Sequence, residues 1–338
     1  MPRPRVYVTR HLPGGALDLL AQHADVQLWP GDLPPPPGEL KRQAAASDAL
    51  LTLLTDRIDA TLLKQSSRLL VVSNMATGFD NIDIAAASRQ AVLVTRTPGV
   101  LSETTADFAF TLILAAARRV VEANDYVRQG LWKTWGPETM LGHDAYGATL
   151  GIVGMGGIGQ EVARRARGFG MRIVYNSRTQ KPVLERRFHM AFLTLDQLLT
   201  ESDFVTLHAP LTAETRHLIG RPQLALMKPA AVLVNTARGP LVDQAALFEA
   251  LRAGRIAAAA LDVADPEPMP AGDPLLTLPN VIVTPHIASA SVATRSRMAL
   301  LAAENLVQAL QGSVPRHAVN REIKRRWQTR VRKRFPLP

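Results

Sequence analysis

The chain has 338 residues, of which 47% are hydrophobic and 20% charged, and it carries no cysteine and a formal net charge of +10. This length gives room for two globular domains, and the absence of cysteine excludes disulfides and thiolate catalysis. No apolar run approaches the roughly 20 residues of a membrane span, and the N-terminus lacks the apolar stretch of a signal peptide, so we expect a cytoplasmic protein with no membrane partner.

Short apolar runs alternate with helical patterns over the first hundred residues. A helical pattern such as Gly15–Ala24 separates the first two runs. This alternation predicts βαβ units and a parallel sheet. The predicted strands are Arg5–Thr9, Asp25–Trp29, Ala49–Thr52, Leu69–Ser73 and Val92–Thr95.

One long helix is predicted from Ser102 to about Val127. Ser102 is a suitable N-cap with Glu103 in the first turn, and Gly130 follows the end of the apolar pattern.

A second alternating series begins at Thr149. Six strands with crossover helices predict a complete doubly wound domain of the dinucleotide-binding type, and a helix over Val292–Gln311 closes the chain order. We therefore expect residues 101–288 to form an inserted nucleotide domain and residues 1–100 with 289–338 to form a discontinuous substrate domain. The six predicted strand sequences are TLGIVG, RIVYN, FVTLHA, AVLVNTA, AAALDV and VIVTPH.

A glycine-rich turn follows the first strand of this series. Gly154, Gly156 and Gly159 form the Gly-x-Gly-x-x-Gly pattern, which also includes Gly157 and Ile158. A strand before the pattern and a helix after it are the context in which such glycines bind a pyrophosphate. We therefore expect these residues to bind a nicotinamide dinucleotide.

The next strand ends in Asn176-Ser177-Arg178-Thr179. An NAD enzyme commonly has an acid at this point to accept from the ribose 2′-hydroxyl, and none is present here. An amide, two hydroxyls and a guanidinium instead offer donors to a 2′-phosphate. The pattern favours NADP(H), although a solvated Arg178 that admits NAD(H) as well is the alternative.

Three later strand ends carry an arginine, a carboxylate and a histidine: Arg238, Glu267 and His286. The arginine is suited to bind a substrate carboxylate through two parallel hydrogen bonds, and the histidine to exchange a proton with the substrate oxygen. A carboxylate beside the histidine favours its protonated form. Each residue alone is unremarkable, but together they predict catalysis on a 2-oxo or 2-hydroxy acid, with no metal site.

Residues 321–338 hold eight basic side chains and one acid, so the rest of the chain is nearly balanced in charge. We expect a solvated, partly disordered tail, with contact to an anion or a nucleic acid as the alternative. A nucleic-acid partner is not expected for the body of the protein.

Seven motifs resemble the D-isomer-specific 2-hydroxyacid dehydrogenases, most closely the glyoxylate/hydroxypyruvate reductase branch. The resemblance implies an α/β protein with two doubly wound parallel sheets, in which a Rossmann-type nucleotide domain is inserted into a flavodoxin-like substrate domain, and it implies a homodimer built through the region after the long helix. The motifs are TGFDNIDI (77–84), TPGVLSETTADFAF (97–110), GIVGMGGIGQ (151–160), LHAPLTAET (207–215), NTARGPLVD (235–243), LDVADPEP (261–268) and TPHIASAS (284–291).

The resemblance also implies roles for individual residues. Arg238, Glu267 and His286 become the catalytic set, and Thr77 and Gly78 join Arg238 and His286 in binding substrate. Asp262 is implied as the partner of the nicotinamide amide. Further implied coenzyme contacts are Thr105, Pro210, Thr236, Ala237 and Ala288.

The resemblance implies reduction of glyoxylate or hydroxypyruvate. Phosphite oxidation is an alternative, disfavoured because that branch usually has a lysine where Thr77 stands, and D-lactate-type dehydrogenases share the same site. A nucleotide-sensing protein similar to the family's corepressor members is an alternative of another class. Ala288 departs from the usual glycine after Pro-His-Ile, so the backbone there is expected to be slightly displaced.

Overall fold

The computed structural model describes residues 3–336 and divides them into two units. Unit 1 comprises the described residues through Leu101 and those from Ala290 onward, and unit 2 comprises Ser102–Ser289. Unit 2 is therefore an insertion in the sequence of unit 1. Within the described range, no helix combines the length and apolar character needed to cross a membrane.

Unit 1 is built on a five-stranded parallel sheet in the order β2-β1-β3-β4-β5. This order is the flavodoxin-like one, and the predicted fold class is confirmed. β3 lies in the middle of the sheet, and all of its residues are buried. The N-terminal elements are β1 Arg5–Val8, α1 Ala16–His23, β2 Asp25–Leu28, α2 Pro37–Ala46, β3 Ala49–Thr52, α3 Ala60–Gln65, β4 Val71–Asn74, α4 Ile84–Arg89 and β5 Leu93–Thr95.

Unit 2 contains fourteen main helices and strands, of which seven strands form one parallel sheet. The elements are α5 Ser102–Ala117, α6 Val120–Arg128, β6 Thr149–Val153, α7 Gly157–Gly168, β7 Arg172–Asn176, α8 Pro182–Phe188, β8 Met190–Phe192, α9 Leu195–Glu201, β9 Phe204–Leu207, α10 Arg221–Leu226, β10 Val232–Asn235, α11 Gln244–Arg252, β11 Ala258–Leu261 and β12 Val281–Val283.

The sheet order of unit 2 is β12-β11-β10-β9-β6-β7-β8, which is the doubly wound dinucleotide-binding order. The six predicted strands are all present. The seventh, β8, was not predicted because it has only three residues and two of them are exposed at the sheet edge. The order reverses between β6 and β9, and ligands of doubly wound sheets bind beside such a reversal.

The predicted single helix from Ser102 to about Val127 is wrong, because the chain forms α5 and α6 with a break between them. Arg119 adopts a left-handed φ of 51° at the break. The Ala117 carbonyl accepts the His143 N–H at 2.8 Å instead of a helical N–H. The Arg119 guanidinium pairs with Glu122 at 2.6 Å, which fixes the start of α6.

After unit 2 the chain returns to unit 1 with α12, Val292–Leu310, close to the predicted Val292–Gln311. α12 packs against β3, β4 and β5. The Ser73 hydroxyl on β4 donates to the Ala302 carbonyl at 2.7 Å. The C-terminal segment is therefore part of the core of unit 1.

The prediction of a solvated, partly disordered basic tail is also wrong for the described part of this segment, which ends at residue 336. A short 3₁₀ turn at Arg321–Ile323 leads into α13, Lys324–Arg334. Trp327 and Val331 are fully buried, and the Trp327 indole N–H donates to the Leu70 carbonyl at 3.1 Å. Apolar residues spaced four apart in a basic sequence thus dock the helix on unit 1.

Three arginines of α13 are used as hydrogen-bond donors to the same unit. Arg330 donates to the Gln90 and Ala91 carbonyls at 2.6 and 3.0 Å. Arg334 pairs with the buried Asp48 carboxylate at 2.9 Å. Arg326 donates to the Arg89 carbonyl at 2.7 Å. Part of the positive charge is therefore structural, and the remaining basic residues of the helix, all exposed, are Lys324, Arg325, Arg332 and Lys333.

Candidate active site

The glycine turn at the end of β6 leaves room for a bound phosphate. Gly154 has a φ of +101°, and a Cβ there would lie 2.6 Å from the Ala209 nitrogen. A Cβ on Gly159 would lie 2.2 Å from the Gly154 carbonyl oxygen, so α7 packs directly on the turn. A Cβ on Gly156, in contrast, would have nothing within 4 Å. α7 begins at Gly157, so its first N–H groups are available to an anion.

Two buried polar atoms beside this turn lack a hydrogen-bond partner within the described part of the chain. They are the Thr236 hydroxyl, after β10, and the His208 Nδ1, after β9. Burial lowers the pKa of His208 to about 3, so the ring is neutral, and its Nε2 lies 2.9 Å from the Thr206 hydroxyl. Buried polar groups are normally paired, so these two atoms fit a site that a polar ligand completes. The residues present therefore fit a nicotinamide dinucleotide.

The turn after β7 is only partly available for the coenzyme. The Asn176 amide donates to the Leu193 carbonyl at 2.8 Å and so supports the next segment. The Ser177 hydroxyl donates to the Thr179 carbonyl at 2.7 Å. Arg178 and Thr179 are exposed. Of the four residues predicted to favour NADP(H), Arg178 and Thr179 have the most accessible side chains.

Arg238 is held by the turn that ends β10. The Asn235 amide nitrogen donates to the Arg238 carbonyl at 2.8 Å, and its oxygen accepts the Ala237 N–H at 3.0 Å. The Arg238 guanidinium donates to the Ala237 carbonyl at 2.7 Å. The buried asparagine thus fixes the backbone on both sides of the arginine.

The Arg238 turn lies directly on the segment that leads to Glu267. A Cβ on Gly239 would lie 1.9 Å from the Ala264 carbonyl oxygen, so only glycine permits this contact. Gln244 supports the same segment, since its side-chain oxygen accepts the Asp265 N–H at 2.6 Å. The two candidate catalytic loops are therefore packed backbone to backbone.

Glu267 and His286 form the central pair of the site, with His286 Nδ1 2.6 Å from Glu267 Oε1. Burial alone would raise the pKa of Glu267, but its hydrogen bond to His286, the Ala264 N–H and the charge of Arg238 hold it below its usual value. Glu267 is then a carboxylate that only accepts hydrogen bonds, so Nδ1 donates. This contact fixes the ring orientation of His286.

The His286 loop is organised by Asp262, which is 1% exposed. One carboxylate oxygen accepts the Thr284 hydroxyl at 2.6 Å and the Ile287 N–H at 2.8 Å. The other accepts the Ala288 N–H at 2.7 Å. His286 itself has a left-handed φ of 55°. Asp262 therefore holds the loop backbone by hydrogen bonds. The sequence interpretation gave it only the role of a partner for the nicotinamide amide and did not predict this one.

The remaining sequence-predicted coenzyme residues lie in unit 2. Thr105 is buried in the first turns of α5, and Ala237 and Ala288 are in the turns already described. The Pro210 carbonyl, after β9, accepts the Thr215 hydroxyl at 2.7 Å. Because all these strands are parallel, the residues after β6, β7, β9, β10, β11 and β12 share the carboxyl edge of one sheet.

Thr77 and Gly78, the predicted substrate residues, lie in unit 1 after β4. The Thr77 hydroxyl donates to the Thr97 carbonyl at 3.2 Å, and the Arg96 guanidinium donates to the Thr77 carbonyl at 3.2 Å. Neither the Thr77 N–H nor the Gly78 N–H donates to another residue in the described range. Two adjacent N–H groups that do not donate within the described part of the chain are suited to bind a carboxylate.

The sequence interpretation missed residues that shape the site from behind: Asn235, Gln244, His208 and Thr284. Asn235 and His208 also end strands, so the rule that identified Arg238 and His286 applies to them. Gln244 and Thr284 carried no such signal because their partners are distant in sequence. Within the described range, no three His, Asp or Glu side chains are grouped so as to hold a metal ion.

Comparisons with known proteins agree with this geometry. Residues 110–288 match the family model described as D-isomer specific 2-hydroxyacid dehydrogenase, NAD binding domain. The chain is 52% identical to a glyoxylate reductase of Korarchaeum cryptofilum over 322 residues, which cover 95% of this chain and 97% of the relative. It is 54% identical to a glyoxylate reductase of Aeropyrum pernix over 327 residues, covering 96% and 98%. The crystal structure of the TT0316 protein from Thermus thermophilus matches with a TM-score of 0.88 at 50% identity, covering 93% of this chain and 99% of that one.

Proposed function

The chain belongs to the D-isomer specific 2-hydroxyacid dehydrogenase family, and we propose that it is a reductase of glyoxylate and hydroxypyruvate. The observation that carries the proposal is the Glu267–His286 pair at 2.6 Å, on the same sheet edge as Arg238 and the glycine turn. The glyoxylate reductases that align with nearly the whole chain support the choice of substrate.

Each side chain of the set has a distinct task in the reduction. Arg238 binds the substrate carboxylate and draws electron density toward the carbonyl oxygen. A reduced nicotinamide dinucleotide, when bound, supplies a hydride to C2. As the hydride arrives, the carbonyl π electrons move to oxygen, which takes a proton from His286 Nε2 to complete the hydroxyl.

Glu267 keeps His286 ready for this proton transfer. Its carboxylate accepts a hydrogen bond from Nδ1–H, which fixes the ring and leaves Nε2 as the atom that exchanges a proton with the substrate. Asp262 holds the His286 backbone, as described above. After each reduction the ring takes a new proton from solvent.

The two units have different tasks in this proposal. Unit 2 is the coenzyme domain, and unit 1 is the substrate domain, in which the N–H groups of Thr77 and Gly78 bind the substrate carboxylate. The Thr77 hydroxyl already donates to Thr97, so it is the backbone and not this hydroxyl that recognises the substrate.

NADP(H) is the preferred coenzyme in this proposal, and NAD(H) is the second. The turn after β7 presents the exposed Arg178 and Thr179, and no carboxylate occurs between Asn176 and Leu184. A guanidinium without an adjacent acid suits a 2′-phosphate better than a ribose hydroxyl.

A homodimer is proposed to form through the region between α6 and β6. Trp132, Trp135 and Leu141 are 60%, 79% and 64% exposed in the single chain. Large exposed apolar groups in one region are typical of a protein interface. Light scattering that gives one chain per particle would contradict the dimer.

The decisive experiment compares two asparagine variants in a coenzyme-oxidation assay with glyoxylate, hydroxypyruvate and pyruvate, and in a coenzyme-reduction assay with phosphite. His286→Asn should lower turnover by about 10²- to 10⁴-fold while coenzyme binding is retained. His189→Asn is the matched control, because His189 also has a left-handed φ, of 53°, and is exposed away from the site. Asparagine tolerates that backbone conformation, so the folding cost is similar in both variants.

The proposal fails if the wild type oxidises neither reduced coenzyme with any 2-oxo acid. It also fails if His286→Asn turns over as fast as His189→Asn.

A further inference from the structure

The turn that links β7 to α8 carries a second cation in addition to Arg178. Residues 177–181 read Ser-Arg-Thr-Gln-Lys, so Lys181 follows Arg178 by three residues and no acid intervenes. The next acid along the chain is Glu185, whose two oxygens accept the Tyr175 hydroxyl and the Gln180 amide. The turn therefore has two cations and no carboxylate of its own to neutralise them.

The Lys181 amine is directed back over the turn. Its Nζ donates to the Thr179 hydroxyl oxygen at 2.8 Å, while the Ser177 hydroxyl donates to the Thr179 carbonyl at 2.7 Å. Lysine side chains at a surface normally extend into water, since holding one still costs side-chain entropy. Here the amine is placed beside a neutral hydroxyl on the same turn as Arg178.

The backbone of Lys181 is fixed from the core by Tyr175. Tyr175 is fully buried on β7, and its hydroxyl accepts the Lys181 N–H at 2.6 Å while donating to Glu185 at 2.7 Å. Burial and the hydrogen bond to Glu185 raise the pKa of Tyr175 to about 12. The hydroxyl therefore stays neutral and keeps both hydrogen bonds at any pH at which the enzyme works. The backbone of Lys181, from which its side chain extends, is therefore fixed by a hydrogen bond to the core.

Neither cation of the turn is neutralised by a side-chain ion pair. The neighbouring Arg172, at the start of β7, lies 2.5 Å from Glu201. Within the described range of residues, neither Arg178 nor Lys181 lies within ion-pair distance of a carboxylate. Arg178 acts on the exposed Glu214 only at longer range, as the last of the influences that lower the pKa of that carboxyl. Two cations on one turn without an ion-pair partner, one of them held by Thr179 and the other exposed, are suited to receive a doubly charged anion.

We propose that Lys181 is a specificity-determining residue that binds the 2′-phosphate of NADPH together with Arg178. The inference rests on the proposed function and deepens it, because it names the second cation at the coenzyme site. A phosphate accepts charge-assisted hydrogen bonds from both side chains, whereas the 2′-hydroxyl of NADH carries no charge for the ammonium to attract. Thr179 keeps the amine in place until the phosphate arrives.

The test is a titration of the wild type and of each variant with NADPH and with NADH in the absence of substrate. Binding is monitored by the fluorescence of the coenzyme. Lys181→Met should weaken NADPH binding by about tenfold or more and change NADH binding by less than about twofold, since a hydrogen bond to a charged group is lost only with the phosphate. Lys181→Arg should retain most of the NADPH affinity. Arg186→Met, which removes the same charge from the exposed surface of α8, is the matched control and should leave both affinities unchanged.

The outcomes distinguish a failure of the proposed coenzyme preference from a failure of the proposed role of Lys181. A wild type that binds NADPH no more tightly than NADH overturns the coenzyme preference itself. A wild type that prefers NADPH, with a Lys181→Met variant that keeps the preference, overturns only the role of Lys181. If Lys181→Met bound both coenzymes equally more weakly, its effect would be structural. If Arg186→Met lowered the NADPH affinity as much as Lys181→Met, the effect would be one of general charge. Either result would also overturn the role of Lys181.

Discussion

Single residues that never touch the reacting atoms determine whether the catalytic set is in place. Asp262 accepts three hydrogen bonds from the His286 loop, and Asn235 bonds both sides of the Arg238 turn. Each is buried, so removing either leaves polar backbone groups without partners, at about 1–3 kcal/mol per group. The accuracy of the site therefore depends on these buried acceptors as much as on the reactive side chains.

The charge of Glu267 is expected to set the pH range of reduction. Its pKa lies below the usual 4.5, so Glu267 is a charged carboxylate at neutral pH. Because the charged carboxylate of Glu267 holds His286 Nδ1–H in place, protonation of Glu267 in acid should lower the rate, and Glu267→Gln has no such group to protonate. In Glu267→Gln we expect kcat/KM for reduction to fall by about 10²-fold at neutral pH, and we expect the acid decline of the wild type, below pH 4.5, to be absent.

The measurement is the pH profile of kcat/KM for wild type and Glu267→Gln. Glu249→Gln is a control, because that acid pairs with Arg252 on the exposed side of α11. A Glu267→Gln profile that declines in acid at the same pH as the wild type would contradict the role given to the pair.

At the scale of elements, the junction of β6 and α7 is the most constrained part of the coenzyme site. Gly154 and Gly159 are in backbone contact, whereas Gly156 borders open space. The three glycines of one motif therefore serve two purposes. Two of them allow the strand and helix to meet, and the middle one leaves room for a ligand.

Alanine substitutions should separate these two purposes. Gly156→Ala should fold with a stability within about 1 kcal/mol of the wild type but bind coenzyme at least about tenfold more weakly, because its methyl group occupies ligand space. Gly159→Ala should lower the free energy of unfolding by several kcal/mol, since overpacking against backbone has no easy relief. Chemical unfolding and coenzyme titration measure the two effects. Normal coenzyme binding by Gly156→Ala would contradict the assignment of the site.

Most elements of the fold were predictable from local patterns, and the failures have identifiable causes. The strands of both sheets are buried apolar runs between turn residues, and the site residues follow them directly. The break at Arg119 was not predictable, because it depends on the distant His143 N–H, which takes over the Ala117 carbonyl. The helix α13 was missed because its basic residues outnumber the few apolar ones, Trp327 and Val331, that bury it.

At the scale of the whole molecule, α13 joins the last described part of the chain to the first. Trp327 is fully buried with its indole N–H bonded to Leu70, and Arg334 pairs with Asp48 beside β3. The Asp48 carboxylate also accepts the Arg5 N–H at the start of β1. A segment that resembled a solvated tail in sequence therefore stabilises the sheet of unit 1.

Trp327→Ala should lower the free energy of unfolding by about 3–5 kcal/mol, the usual cost of truncating a buried tryptophan. Arg325→Ala, on the exposed side of the same helix, should change it by less than about 0.5 kcal/mol. Urea unfolding followed by circular dichroism measures both. Equal stability of the two variants would restore the interpretation of this segment as a solvated tail.

The interruption of unit 1 by unit 2 also fixes an order of events during translation. Strands β1 to β5 emerge from the ribosome early, but α12, which covers β3, β4 and β5, follows all 188 residues of unit 2, Ser102–Ser289. Unit 2 is continuous and can fold as soon as it has emerged, since domains fold as units during synthesis. The earlier-made half of unit 1 must wait with an uncovered apolar sheet face, and that interval is when the nascent protein most needs protection from aggregation.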